Sequence, residues 1–67
     1  MYIYSIEAGE RFLAKNPTLL ATVQGVNFYE HPTQGDESPV FAIRNGYLIL
    51  TDAWDCDDLV NDSGIFD

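Results

Sequence analysis

One cysteine, one histidine and three basic side chains are all that 67 residues offer in those classes, and each scarcity excludes something. Cys56 has no second cysteine to pair with, and one Cys with one His cannot fill the four-ligand shell of zinc. Arg11, Lys15 and Arg44 are too few and too scattered to form a basic patch, so direct binding to nucleic acid is not expected. No apolar run approaches the roughly 20 residues that span a bilayer, and an acidic chain is repelled by anionic lipid, so no membrane contact is expected. The opening Met1-Tyr2-Ile3-Tyr4 lacks the basic residues and long apolar stretch of a secretory signal, which points to a cytoplasmic protein. Phosphate-cradling glycine loops are missing, and Ser5, Ser38 and Ser63 lack a nucleophile-elbow context. A domain this small buries only about 60% of its unfolded surface and encloses little volume. No enzymatic activity and no cofactor are expected.

What the chain does have is core material and acid. At 46% hydrophobic and 13% aromatic it is expected to fold as a single small domain over residues 1–67. Eleven acids against three bases give a net charge of −8, and the excess is unevenly spread. Residues 1–51 hold five acids and all three bases, a net −2; residues 52–67 hold six acids and no base, a net −6. This asymmetry is the main functional signal in the sequence.

The pattern along the chain predicts an α+β fold: a small antiparallel sheet of two hairpins, a short N-terminal helix and an acidic C-terminal helix. Tyr2, Tyr4 and Ile6 alternate like a short strand ahead of a helix over Glu7–Lys15; a helix over 6–15 capped by Ser5 is an alternative, and Asn16-Pro17 ends either version. Gly9 weakens that helix. Thr18–Val23 and Val26–Glu30 flank Gln24-Gly25 as a hairpin, with Leu19, Ala21, Val23, Val26 and Phe28 on one face and Leu19 opposite Glu30. His31–Pro39 reads as a surface loop. Val40–Arg44 and Tyr47–Thr51 flank Asn45-Gly46, the dipeptide best suited to a type I′ turn. This pairs Phe41 with Leu50 and Ile43 with Leu48 on the expected core side. Val40, Ala42 and Ile49 on the other side need a cover. The C-terminal helix is expected over about residues 53–61, capped by Thr51 or Asp52, with Ala53, Cys56, Leu59 and Val60 on its apolar side and Asp55, Asp58 and Asp62 clustered opposite.

On such a helix Asp52, Asp55, Asp57, Asp58 and Asp62 set one charge per roughly 3 Å, close to the about 3.4 Å spacing of phosphates along one DNA strand. A protein that grips phosphates with Lys and Arg would accept this ridge in their place. Glu30, Asp36 and Glu37 extend the negative field, and Trp54 beside the acids is the candidate anchor. The plainer alternative is a solubilising acidic face that also suits a helix N-terminus. An EF-hand does not fit, because counting from Asp55 puts Leu59 at the fifth position and Val60 at the sixth. His31 reads as a turn histidine bonded locally, and Cys56, among carboxylates on an apolar face, as a protonated buried thiol. Tyr47 opposite Arg44 reads as a cross-strand stacking pair.

In its tiny length, acidity and acidic run Asp52–Asp62, the chain resembles the small inhibitor proteins of bacteriophages and mobile elements, the anti-CRISPR and anti-restriction proteins among them. The stretch Phe28-Tyr29-Glu30-His31-Pro32-Thr33-Gln34-Gly35-Asp36-Glu37-Ser38-Pro39 is similar to segments of small phage proteins. The resemblance implies a stoichiometric inhibitor that acts as a DNA or RNA mimic in the host cytoplasm, its partner a basic nucleic-acid-binding protein or ribonucleoprotein complex. The alternative of another class is an assembly module whose apolar sheet face (Val40, Ala42, Ile49) meets a copy of itself or a host protein.

Overall fold

In the computed structural model, which describes residues 1–54 and 57–66, the chain runs β1 (Tyr2–Ile3), α1 (Ile6–Ala14), β2 (Leu19–Val23), β3 (Val26–Tyr29), β4 (Phe41–Arg44), β5 (Tyr47–Leu50) and α2 (Leu59–Asp62). The fold is α+β: five strands in the antiparallel order β1-β5-β4-β3-β2, with α1 on one side and the C-terminal segment on the other. Ser5 caps α1, its Oγ accepting from the Ala8 N–H at 3.1 Å. Of the two N-terminal readings, the capped helix holds, and the residues ahead of it still form a strand, because Tyr2 and Ile3 pair with Leu50 and Ile49. Asn16, at φ 53°, ends the helix in the left-handed region ahead of Pro17.

Asn45 (φ 52°) and Gly46 (φ 85°) adopt the type I′ geometry that their sequence favours. The register follows as expected, with Arg44 opposite Tyr47, Ile43 opposite Leu48, Ala42 opposite Ile49 and Phe41 opposite Leu50. Gln24 (φ 51°) and Gly25 (φ 81°) do the same for β2 and β3. There the expected register holds only from Val23 back to Ala21. An irregularity between Leu19 and Ala21 then brings Leu19 opposite Tyr29 instead of Glu30 and leaves Leu19 exposed. An extra residue in one strand of an antiparallel pair shifts everything beyond it by one position.

Both sides of the sheet carry a core. Phe12 of α1 packs on Tyr29 and Leu48, with Ala8, Phe41 and Ile43 around them; its ring lies 5.5 Å from that of Tyr29 and 5.1 Å from that of Phe41. The larger cluster is on the side that the sequence left in need of a cover. Val26, Phe28, Val40, Ala42 and Ile49 pack there against Ala53, Leu59 and Ile65.

A helix over 53–61 does not form. Ala53 is drawn into the core, and its carbonyl accepts the Val40 N–H at 2.8 Å, so the chain leaves β5 extended. Among the residues after it, acids stand three, four and five apart with no base between them, an arrangement that destabilises a helix. Helical structure begins only at Leu59, where Asp58 caps by accepting the Asn61 N–H at 3.2 Å, and α2 gives way at Gly64, φ 84°. The cover is pinned by two hydroxyls instead. Thr51 Oγ1 donates to the Val40 carbonyl at 2.8 Å and accepts the Ala53 N–H at 3.2 Å. Ser63 Oγ, fully buried, donates to the Leu59 carbonyl and accepts the Ile65 N–H at 3.3 Å.

Candidate binding surfaces

Among the described residues the predicted anionic ridge is not a helix face, since Asp52 and Asp57 precede α2, Asp58 caps it and only Asp62 lies in it. Asp52 is not a helix cap. Its Oδ1 lies 2.5 Å from the Met1 amino group, and its backbone N–H donates to the Ser63 carbonyl at 3.1 Å. Asp58 is the cap, its second oxygen accepting from the Asn61 side chain at 3.2 Å. Asp62 stands exposed on α2, and Asp57 is exposed just ahead of it. Asp55 and Cys56 lie outside the described residues. What the structure keeps is a layer in place of a ridge: Ala53, Leu59, Ile65 and Phe66 pack on one side of the sheet, and Asp52, Asp57, Asp58 and Asp62 around them are exposed. Two cations lie against this layer, the Met1 amine on Asp52 and Arg44, whose Nη1 donates to the Ile65 carbonyl at 3.0 Å. The α1 layer, with Glu7 and Glu10 against Arg11 and Lys15, is neutral. The segment after β5 therefore holds most of the excess negative charge, while the α1 layer carries none.

Trp54 is 57% exposed beside the acids, so it neither folds back onto the sheet nor belongs to the core. Asp36 and Glu37 are exposed on the 31–39 loop. Glu30 goes elsewhere, since it lines a polar hollow of about 240 Å³ with Lys15, Asn16, Thr18 and His31 at the far end of α1. His31 is the turn residue expected of it: Nδ1 accepts the Thr33 and Gln34 N–H groups at 3.2 and 3.0 Å, and the ring lies 5.3 Å from that of Phe41. With Nδ1 used as an acceptor and the ring set against Phe41, the side chain serves to shape the loop. Among the described residues, no three His, Cys, Asp or Glu side chains gather as a metal shell, and no helix is long and apolar enough to cross a membrane.

The apolar sheet side proposed for assembly is not open. Val40, Ala42 and Ile49 are buried under the chain's own Ala53, Leu59, Ile65 and Phe66. The cover is incomplete, however, toward the sheet's β1 end, where Ile3 stays exposed. There a hollow of about 280 Å³ is floored by the buried Ile49 and Ile65 and walled by the exposed Met1, Ile3, Arg44 and Tyr47. Across the strand, Tyr2 and Tyr4 stack with ring centroids 4.7 Å apart. The alternation of Tyr2, Tyr4 and Ile6 marked a strand but not this exposed pair of rings. An available signal was the run Met1–Ile6, without a charged side chain, in which all five large apolar or aromatic side chains remain exposed. Arg44 and Tyr47 do face one another across the turn, although the guanidinium is committed to the Ile65 carbonyl.

A scan against protein-family models finds no match for the chain, and searches of curated proteins and of solved structures find none either.

Proposed function

We propose that this protein is a non-catalytic binder that occupies a basic, nucleic-acid-binding surface on another protein or ribonucleoprotein and so keeps nucleic acid from it. The observation that carries the reading is that Trp54, Asp57, Asp58 and Asp62 are all exposed in the segment whose Ala53, Leu59 and Ile65 pack on one side of the sheet, a segment that holds no Lys or Arg. Such a field raises the encounter rate with a cationic groove and is screened by salt. An aromatic side chain at its border supplies the apolar contact that charge alone lacks. The mimicry is one of field and not of spacing, because the carboxylates do not follow a regular helical rise. A stoichiometric inhibitor of the anti-CRISPR or anti-restriction kind is the form of activity that this reading favours.

The test is a competition experiment on nuclease-treated lysate, with the wild type beside a variant carrying Asp57→Asn, Asp58→Asn and Asp62→Asn. Asn retains the ability to cap α2, so the variant keeps its fold while losing three charges. The expected result is retrieval of proteins that bind nucleic acid, release of them by added DNA or RNA, and a loss of at least tenfold in retrieval by the variant. Equal retrieval by both proteins, unaffected by 0.5 M NaCl, would falsify the reading.

A further inference from the structure

The geometry points to a second binding element: the free edge of β1, with the hollow beside it, is a docking site for an extended strand of a basic partner protein. The backbone supplies the first argument. Tyr4 N–H donates to the Leu48 carbonyl at 2.7 Å, and Tyr2 stands opposite Leu50. In an antiparallel ladder bonded and unbonded pairs alternate, so Ile3, opposite Ile49, is the unbonded position and turns its N–H and C=O away from β5. Since β1 is the outermost strand, both groups face outward, the arrangement that accepts an added strand.

The side chains supply the second. Successive residues of a docked strand point to opposite faces. On one face the residue opposite Ile3 meets the hollow floored by Ile49 and Ile65, which is wide enough to admit an aliphatic side chain. On the other face its neighbours meet the Tyr2 and Tyr4 rings, which attract Lys or Arg. Tyr2 is 61% and Ile3 57% exposed, so neither is satisfied by the chain itself.

Charge selects the occupant. At −8 a second copy is repelled, whereas a strand alternating apolar and basic residues is attracted, provided that its apolar residues take the Ile3 face, where Arg44 and the amino-terminal Met1 wall the hollow, and its basic residues take the Tyr2–Tyr4 face. The basic character of the occupant rests on the function proposed above; the strand geometry does not.

The experiment titrates the isotopically labelled protein with two nine-residue peptides of equal charge, one alternating Lys and Val, the other Lys and Gly, at 50 and 300 mM NaCl, followed by NMR. The Lys-Val peptide is expected to bind at least tenfold more tightly, to slow hydrogen exchange of the Ile3 amide and to shift the Ile3 and Tyr47 signals. Ile3→Ser and Tyr47→Ser should each weaken it at least fivefold, with unchanged Phe28 signals reporting an intact core. Equal, salt-sensitive binding of both peptides would overturn strand docking and leave the acidic reading standing. Binding of neither at low salt would overturn strand docking and remove support from the acidic reading as well. A free protein that sediments as a dimer with its Ile3 amide already protected would assign the edge to a second copy, and the proposal would fall.

Discussion

A Cβ placed on Gly9 would lie 2.3 Å from the carbonyl oxygen of Gly46. Helix α1 therefore meets the β4–β5 turn through bare backbone, and the residue that weakens the helix is the one that lets it seat. In an exposed helix Gly→Ala gains roughly 0.5–1 kcal/mol. Here the sign should reverse. Gly9→Ala has to push the helix off a turn fixed by its I′ geometry, and a loss of about 1–3 kcal/mol is expected from overpacking. Chemical denaturation measures it, and an unchanged or raised midpoint would show that the helix and turn are not in contact.

Substitutions at Phe28 and Leu19 should separate the two ends of the β2–β3 pair. Phe28 is completely buried, and Phe28→Ala should cost about 3–5 kcal/mol, enough to unfold a domain of this size. Leu19, displaced to the surface by the irregularity beside it, should tolerate Ala within about 0.5 kcal/mol. Thermal melts of both variants decide this, and a large loss at Leu19 would mean that the strand keeps its regular register through residue 20.

Thr51→Val and Ser63→Ala each remove a buried hydroxyl and leave carbonyl or N–H partners unmet, at about 1–3 kcal/mol apiece. Because both hydroxyls hold residues 53–66 in place, their loss should speed hydrogen exchange in Leu59 and Ile65 well before it does so in β4. Uniform acceleration across all strands would contradict the idea that the cover is pinned separately.

Among the acids, structure and charge should come apart at Asp58 and Asp62. Asp58→Ala deletes the cap of α2 and is expected to lower stability by about 0.5–2 kcal/mol. Asp62→Asn removes the same charge from an exposed position and should leave the melting temperature within a degree or two. If the proposed partner binding is electrostatic, Asp62→Asn weakens it while the fold is untouched. Identical melting behaviour of the two variants would remove the capping role from Asp58.

How far these features were legible in the residues varies with the range of the interaction that sets them. Asn45-Gly46 encodes its own turn, so the register of β4 with β5 could be read directly. The irregularity at Leu20 has no local marker; it is settled by how β2 meets β3. The C-terminal helix was misplaced because periodicity was weighed without the cost of acids crowded on one segment and without the pull of the core on Ala53. Covering the Val40–Ala42–Ile49 side was read as necessary, yet the agent proved to be a mostly irregular segment. The acids were legible as charge but not as neighbours of Met1 or caps of Asn61. The outward amide of Ile3 had no local marker, since it is set by strand order together with the hydrogen-bond phase of the β1–β5 ladder.

The sheet's larger core is closed by residues that follow all five strands, Ala53, Leu59 and Ile65, and this sets a constraint on synthesis. A nascent chain that has cleared the ribosome only as far as Leu50 can pair its strands and seat α1, but the reverse side of that sheet is bare, with Phe28 and Ile49 facing water. Partial products are thus sticky intermediates, and folding to a sealed state must wait until the acidic segment has emerged.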